Sequence, residues 1–262
     1  MFIQNSMYPS SVGPIKPPTK FSTLKEIRAP LEWLFSFANQ RKIGAVPNGD
    51  GRLLILVPGY GADEWSMKPL KKFLTSLNYQ VFDWGHGRNR GHVEEDTELL
   101  ASTVQTISSD HNNELVTLIG WSLGGVLSRE VARLYPQSVR EVITMGTPLV
   151  GGPKYTVLAN RYAKQKNIDL DEYEAEIHGI NTVGFRQPVT VIYSKSDGIV
   201  GWRAAVDYYN EQAKNIEVNC SHLGMGVSAE VWKIIAQTLA QSSAGSKTQT
   251  KTDHKPGGDN AS

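Results

Sequence analysis

Cysteine is almost missing: Cys220 stands alone in 262 residues. No disulfide can close within the chain, and no cysteine-based zinc site can form. That usage fits a reducing compartment. Excess charge of either sign is also missing. Lysine and arginine total 27 against 26 Asp and Glu, a net charge of +1. No global field therefore draws the chain to nucleic acid. No apolar run approaches the roughly 20 residues of a membrane-spanning helix. Met1 to Ser6 carry no basic n-region, the first lysine is Lys16, and no apolar h-region follows. A secretory signal is not expected, and the default is a soluble, cytoplasmic protein. Internal repeats are missing as well.

What is present reads as one α/β domain with extensions. Residues 1–48 form an N-terminal arm: a Ser- and Pro-rich extended stretch to about 20, then apolar residues at near-helical spacing, Leu24, Ile27, Leu31, Leu34, Phe35 and Phe37. Thr23 and Glu26 are spaced for a capping box, and Pro30 divides the helix or kinks it. Two roles suit 21–40. One is peripheral contact with a membrane. The other, favoured because no lysine stripe marks the polar face, is a helix packed on the domain.

The domain itself spans 49–241. Leu53–Val57 is continuously apolar, as in a strand buried on both faces of a parallel sheet. Further strands are expected at 79–84, 115–119, 139–145, 188–194 and 215–219. Helices are expected at about 64–77, 94–109, 126–134 and 228–241. Alternation of this kind predicts an α/β fold, a mostly parallel sheet of about six strands with helices on both faces. Residues 150–187 contain no clear strand and only weak helical patterning, at 155–164 and 172–176. The stretch is too long for a plain connection and reads as a small cap insertion. Residues 242–262, rich in Ser, Thr, Lys and Gly, read as a disordered tail.

The chemistry centres on Gly120-Trp121-Ser122-Leu123-Gly124, set between a strand and a helix. Gly-x-Ser-x-Gly in that setting is a nucleophile elbow: a tight turn lifts the serine hydroxyl over the end of the sheet. A serine needs a base, and the base needs an orienting acid. After such an elbow they follow in the order acid, then histidine. Two histidines lie between the elbow and the tail. His178 falls in the cap with no strand beside it; His222 follows the last strand and is the candidate base. Asp197 ends the preceding strand before Gly198, as an acid and as an Asp-Gly turn residue, two roles that are compatible. Asp169 and Asp171, in the cap, are weaker candidates. The oxyanion of acyl transfer needs preorganised donors. The backbone amides of Leu123, directly after the nucleophile, and Tyr60, in the loop Pro58-Gly59-Tyr60-Gly61, are the candidates. That loop lacks the lysine of a phosphate-binding loop.

The glycine-rich loop Gly85 to His92 admits two readings. Arg88 and Arg90 could hold an acidic group of a substrate, or the loop could be structural, tying neighbouring loops together through hydrogen bonds; the structural reading is favoured. His86 and His92 lack further ligands at metal-binding spacing, so neither a metal nor another cofactor is expected. Trp84, Trp121 and Trp202 could wall an apolar acyl pocket or pack the core.

Taken together and in this order, several segments resemble the α/β-hydrolase superfamily. These are Gly49-Asp50-Gly51, Val57-Pro58-Gly59-Tyr60, Trp84 to Gly91, the elbow, Gly146-Thr147-Pro148, Tyr193 to Val200 and Ser221 to Gly226. More narrowly, they resemble a bacterial group of small lipase- or esterase-like serine hydrolases. Members often carry His-Gly where this chain has Pro58-Gly59; a backbone donor survives that exchange. The resemblance implies the α/β-hydrolase fold, a Ser122–Asp197–His222 triad and oxyanion donation by the Tyr60 and Leu123 amides. It names no substrate. The expected activity is cleavage of carboxylic esters through an acyl-enzyme on Ser122, in lipid metabolism, with a small-molecule acyl ester as partner and Trp121 and Arg88 as candidate substrate contacts. The alternatives are an acyltransferase or thioesterase using the same triad, or a non-catalytic ligand-binding protein.

Overall fold

The computed structural model describes residues 7–8, 12–39 and 43–252. Its centre is a six-stranded, wholly parallel sheet in the order β2-β1-β3-β4-β5-β6. The strands are β1 Leu53–Val57, β2 Gln80–Asp83, β3 Val116–Trp121, β4 Val139–Met145, β5 Val189–Ser194 and β6 Lys214–Val218. Alternate residues feed two cores. Leu54, Leu56, Ile119, Ile143, Met145 and Ile192 face one side; Leu53, Ile55, Val57, Leu118 and Val142 face the other. This period of two, apolar on both faces, is why the central strands read as unbroken hydrophobic runs.

Helices cover both cores. α3 (Lys68–Ser76) and α8 (Ala229–Thr252) close the first with Leu70, Leu74, Val231, Trp232 and Ile235. α4 (Val93–Asp110) and α5 (Leu123–Leu134) close the second with Leu100, Val104, Leu127 and Val131. α8 continues past its expected end at Gln241 to Thr252. Ser242 helps seat it, bonding Glu141 at 2.7 Å while accepting from Arg52 at 2.6 Å. The disordered tail expected over 242–262 is thus helical as far as 252, and the rest of that expectation lies outside the described residues.

The segment after β4 contains a 3₁₀ turn at Gly152–Tyr155, α6 (Ala159–Lys166) and α7 (Leu170–Val183). Asp169 caps α7, accepting the N–H groups of Asp171 and Glu172. Buried Glu174 ties the segment together: it accepts the hydroxyls of Tyr155 and Tyr8 at 2.7 and 2.9 Å and pairs with Lys154.

The N-terminal arm is α1 (Lys20–Leu24), a 3₁₀ turn over Lys25–Arg28, and α2 (Ala29–Asn39), with Pro30 in the first turn of α2. It packs on the domain, but through its polar residues. Phe21, Leu24, Ile27, Leu31 and Leu34 are exposed, Phe21 at 71%. Glu26, Glu32 and the Trp33 indole turn inward to loop backbone and to Ser221. The 3₁₀ turn breaks the helical register, so Leu24, Ile27, Leu31 and Leu34 assemble no inward stripe; the Phe35 and Phe37 side chains lie outside the described residues. Among the described residues, no helix is long and apolar enough to cross a membrane.

Candidate active site

β3 ends in the elbow. Ser122 sits at φ 54°, ψ −121°, a conformation that L-residues seldom adopt and that costs about 1–3 kcal/mol. The turn is this tight because Gly120 and Gly124 admit it: a Cβ on Gly124 would lie 2.2 Å from the Val57 carbonyl oxygen. The Ser122 N–H donates to the Met145 carbonyl at 2.8 Å, fixing the elbow to the end of β4.

His222, in the loop after β6, comes up beside the ends of β3 and β4. A Cβ on Gly146, the residue after β4, would be 2.9 Å from His222 Nδ1. The imidazole lies beside Trp121 with ring centroids 6.0 Å apart. Its Nδ1 meets Asp197 Oδ2 at 2.7 Å, both side chains being almost wholly buried. Asp197 Oδ1 accepts the N–H groups of Ile199 and Val200 at 2.8 and 2.7 Å. The carboxylate is therefore oriented by its own turn, with its other oxygen against the ring. Ser194 Oγ donates to the Cys220 carbonyl at 2.7 Å, tying the Asp197 loop to the His222 loop.

Burial lowers the affinity of His222 for a proton, but the adjacent Asp197 and, further off, Glu26 outweigh it, and the pKa is raised. Burial pushes the Cys220 thiol up, which keeps it protonated and unreactive.

Tyr60, Ser122 and Leu123 open together onto one cavity of about 480 Å³. Gly59 packs on the elbow, where an added Cβ would be 3.1 Å from that of Ser122. Leu123 is the first residue of α5, where an N–H has no acceptor within the helix. The cavity runs between α4, α5 and the 150–187 segment, which contributes Leu158, Tyr162, Tyr173, Ile177 and Ile180. Apolar residues dominate it; the carboxylates Glu94, Glu95, Glu98, Glu130 and Glu176 and the guanidinium of Arg129 also line it. His222 and Asp197 are not among the lining residues.

The structural reading of the 85–92 loop has direct support. Fully buried Asn89 donates from Nδ2 to the Pro58 carbonyl at 2.9 Å, and its backbone exchanges hydrogen bonds with Gly61 and Ala62. It thereby holds the loop carrying Tyr60, a role its sequence neighbours hid because the two segments meet only in space. Arg88 and Arg90 are exposed, and neither lines the cavity. Trp84 and Trp121 are buried in the two cores, and Trp202 stacks on Tyr193; none lines the cavity. The cavity wall is instead largely aliphatic and tyrosine-bearing. His178 sits on α7 against Tyr8 and Tyr209. His86 meets Thr103, His92 lies beside Glu95, and among the described residues no cluster is placed to hold a metal ion.

The fold has counterparts among known proteins. The family model for the alpha/beta hydrolase fold matches residues 52–170. The protein has the α/β-hydrolase fold and is similar to lipase- and esterase-like hydrolases of that superfamily. It is 30% identical over 112 residues, 41% of its length, to a pimeloyl-[acyl-carrier protein] methyl ester esterase from Pseudoalteromonas atlantica. Over 99 residues, 38% of its length, it is 28% identical to an esterase of the same name from Shewanella woodyi. These matches span only 40% and 37% of the relatives' own lengths. Among solved structures, a lipase-esterase related protein from Clostridium acetobutylicum aligns with a TM-score of 0.55 at 18% identity, over 75% of this chain and 96% of that one. A monoacylglycerol lipase from Paleococcus ferrophilus aligns at 0.56 and 18%, with the same coverage of 75% and 96%. At such identities the likeness is one of fold.

Proposed function

We propose that this protein is a serine hydrolase that cleaves carboxylic esters through an acyl-enzyme on Ser122. The observation that carries the reading is the buried 2.7 Å contact between Asp197 and His222, set over the same strand end as an elbow serine that opens onto an apolar cavity. Neutral His222 takes the Ser122 proton as the oxygen bonds to the ester carbonyl carbon. The carbonyl π electrons pass to oxygen, which the Tyr60 and Leu123 amides receive. Collapse expels the alkoxide, protonated by the imidazolium, and leaves the acyl-enzyme. Water then repeats the cycle, its proton going to His222, and the acid leaves. Asp197 holds the ring in the required tautomer and stabilises its charged form.

The cavity favours a medium or long neutral acyl chain. Its walls are aliphatic and aromatic; its one lining cation, Arg129, is paired with Asp207, and its other charged groups are carboxylates, which would repel an anionic chain. Ester cleavage agrees with the naming of the curated relatives as methyl ester esterases. A fluorophosphonate probe tests the nucleophile directly. The wild type should label and Ser122→Ala should not; an unlabelled wild type, or equal labelling of both, overturns the proposal.

A further inference from the structure

Glu26 takes no part in the reaction just described, yet it is buried and its carboxylate is fully engaged by the loops that carry Asp197 and His222. Oε1 accepts the N–H groups of Gly198 and of His222, each at 2.8 Å. Oε2 accepts the N–H of Leu223 at 3.0 Å. One side chain on a remote arm thus grips the residue after the acid, the base itself, and the residue after the base. The neighbouring contacts repeat the arrangement: Thr23 Oγ1 donates to the Gly198 carbonyl at 3.0 Å, the Trp33 indole donates to the Leu223 carbonyl at 3.1 Å, and Glu32 accepts from Ser221. The Asp197 loop is shaped to admit the arm, since a Cβ on Gly198 would come 2.4 Å from the Ser22 carbonyl oxygen.

We propose that Glu26 is a positioning residue for the Asp197–His222 pair: its carboxylate clamps the two loops together and sets a second negative charge against the backbone of His222. The proposal rests on the triad reading given above. Three charge-assisted hydrogen bonds from one buried carboxylate are strong and directional, and they act on backbone that the ring cannot move without. The charged groups nearest His222 are Asp197 from the loop after β5 and Glu26 from the arm, with Glu32 beyond it through Ser221; Trp121 and Gly146 approach the ring from the ends of β3 and β4 and carry no charge. The direction of the His222 pKa agrees: burial pulls it down, and Asp197 and then Glu26 push it above the ordinary value.

The test compares full-length wild type, Glu26→Gln and Thr23→Ala. Thr23→Ala removes an arm contact but no charge. The His222 imidazole is titrated by NMR, assigned with His222→Gln, alongside melting temperature and kcat/KM against pH on a p-nitrophenyl ester. Glu26→Gln should move both the imidazole titration and the acid limb of kcat/KM to lower pH and lower kcat/KM by roughly ten- to a hundredfold through lost alignment. Thr23→Ala should lower the melting temperature and leave the titration in place. A Glu26→Gln protein with the wild-type imidazole titration overturns the proposal, whatever its melting temperature. Should Glu26→Gln not fold, Glu26→Asp serves: it keeps the charge and withdraws the clamp, so the limb should stay near wild type while kcat/KM falls, and an unchanged kcat/KM overturns the proposal. An inactive wild type, or an active Ser122→Ala, would sink the triad reading separately, because the imidazole titration does not depend on turnover.

Discussion

At the scale of single residues, His222 carries opposing demands. As the proposed base it must be neutral to take the Ser122 proton, yet it lies in contact with Asp197 and near Glu26, whose charges favour the imidazolium. Burial opposes them and loses, so the pKa lies above the ordinary 6.5. Two consequences follow from the sign. Activity needs the deprotonated ring, so the acid limb of kcat/KM should lie above pH 6.5. Stability runs the other way: a raised folded-state pKa contributes stability that is fully present below the unfolded value and is lost as pH rises through the folded one. The melting-temperature advantage of the wild type over His222→Gln should therefore shrink across the pH range in which activity appears. A limb at or below 6.5, or an advantage that grows with pH there, would contradict the assignment.

At the scale of elements, legibility in the sequence followed burial. β1, β3, β4 and β5 are apolar on both faces, and their positions were readable to within a residue or so. The loops after β5 and β6 were readable too, because a catalytic order ties Asp197 and His222 to strand ends. The cap helices left weak traces, since α6 and α7 turn polar faces outward and face a cavity rather than a packed core, with no buried residue in α6. The arm was readable as helical but not as inverted. Spacing of Leu24, Ile27, Leu31 and Leu34 sets a period, while the side that docks is chosen by partners 172 and 196 residues away in sequence, namely the N–H groups of Gly198 and His222. The tryptophans misled in the other direction, because an indole beside a motif says nothing of whether it faces the core or the cavity. The cap's contribution can be tested through the wall it provides. Efficiency on p-nitrophenyl esters should rise from acetate toward medium chains, and Ile180→Trp, which narrows the cavity, should lower it on the longer chains by about tenfold or more while sparing acetate. A preference for acetate in the wild type, or an equal loss on every chain length, would remove the cap from acyl recognition.

At the scale of the whole molecule, the site depends on parts far apart in sequence being held in one frame. The elbow helix α5 is tied to the segment before β6 by one ion pair: Arg129 donates to Asp207 Oδ2 at 2.6 Å, with side chains 4% and 0% exposed. Asp207 Oδ1 accepts the N–H groups of Tyr209 and Asn210, and the guanidinium also lies 4.8 Å over the Phe185 ring. β6 leads directly into the His222 loop, so this pair links the helix that follows Ser122 to the strand that precedes His222. Desolvation makes such a pair asymmetric: the intact pair adds little over an apolar replacement, but a lone buried charge is expensive. Arg129→Ala should therefore lower unfolding stability by about 3–5 kcal/mol, since it strands the Asp207 carboxylate. Arg129→Met combined with Asp207→Asn should lose much less, because the Asn side-chain oxygen can still accept from Tyr209 and Asn210 while neither position carries charge. Urea unfolding of the wild type, the single variant and the double variant measures the difference. A double variant as unstable as Arg129→Ala would mean that packing against Phe185, rather than the charge pair, holds this part of the frame.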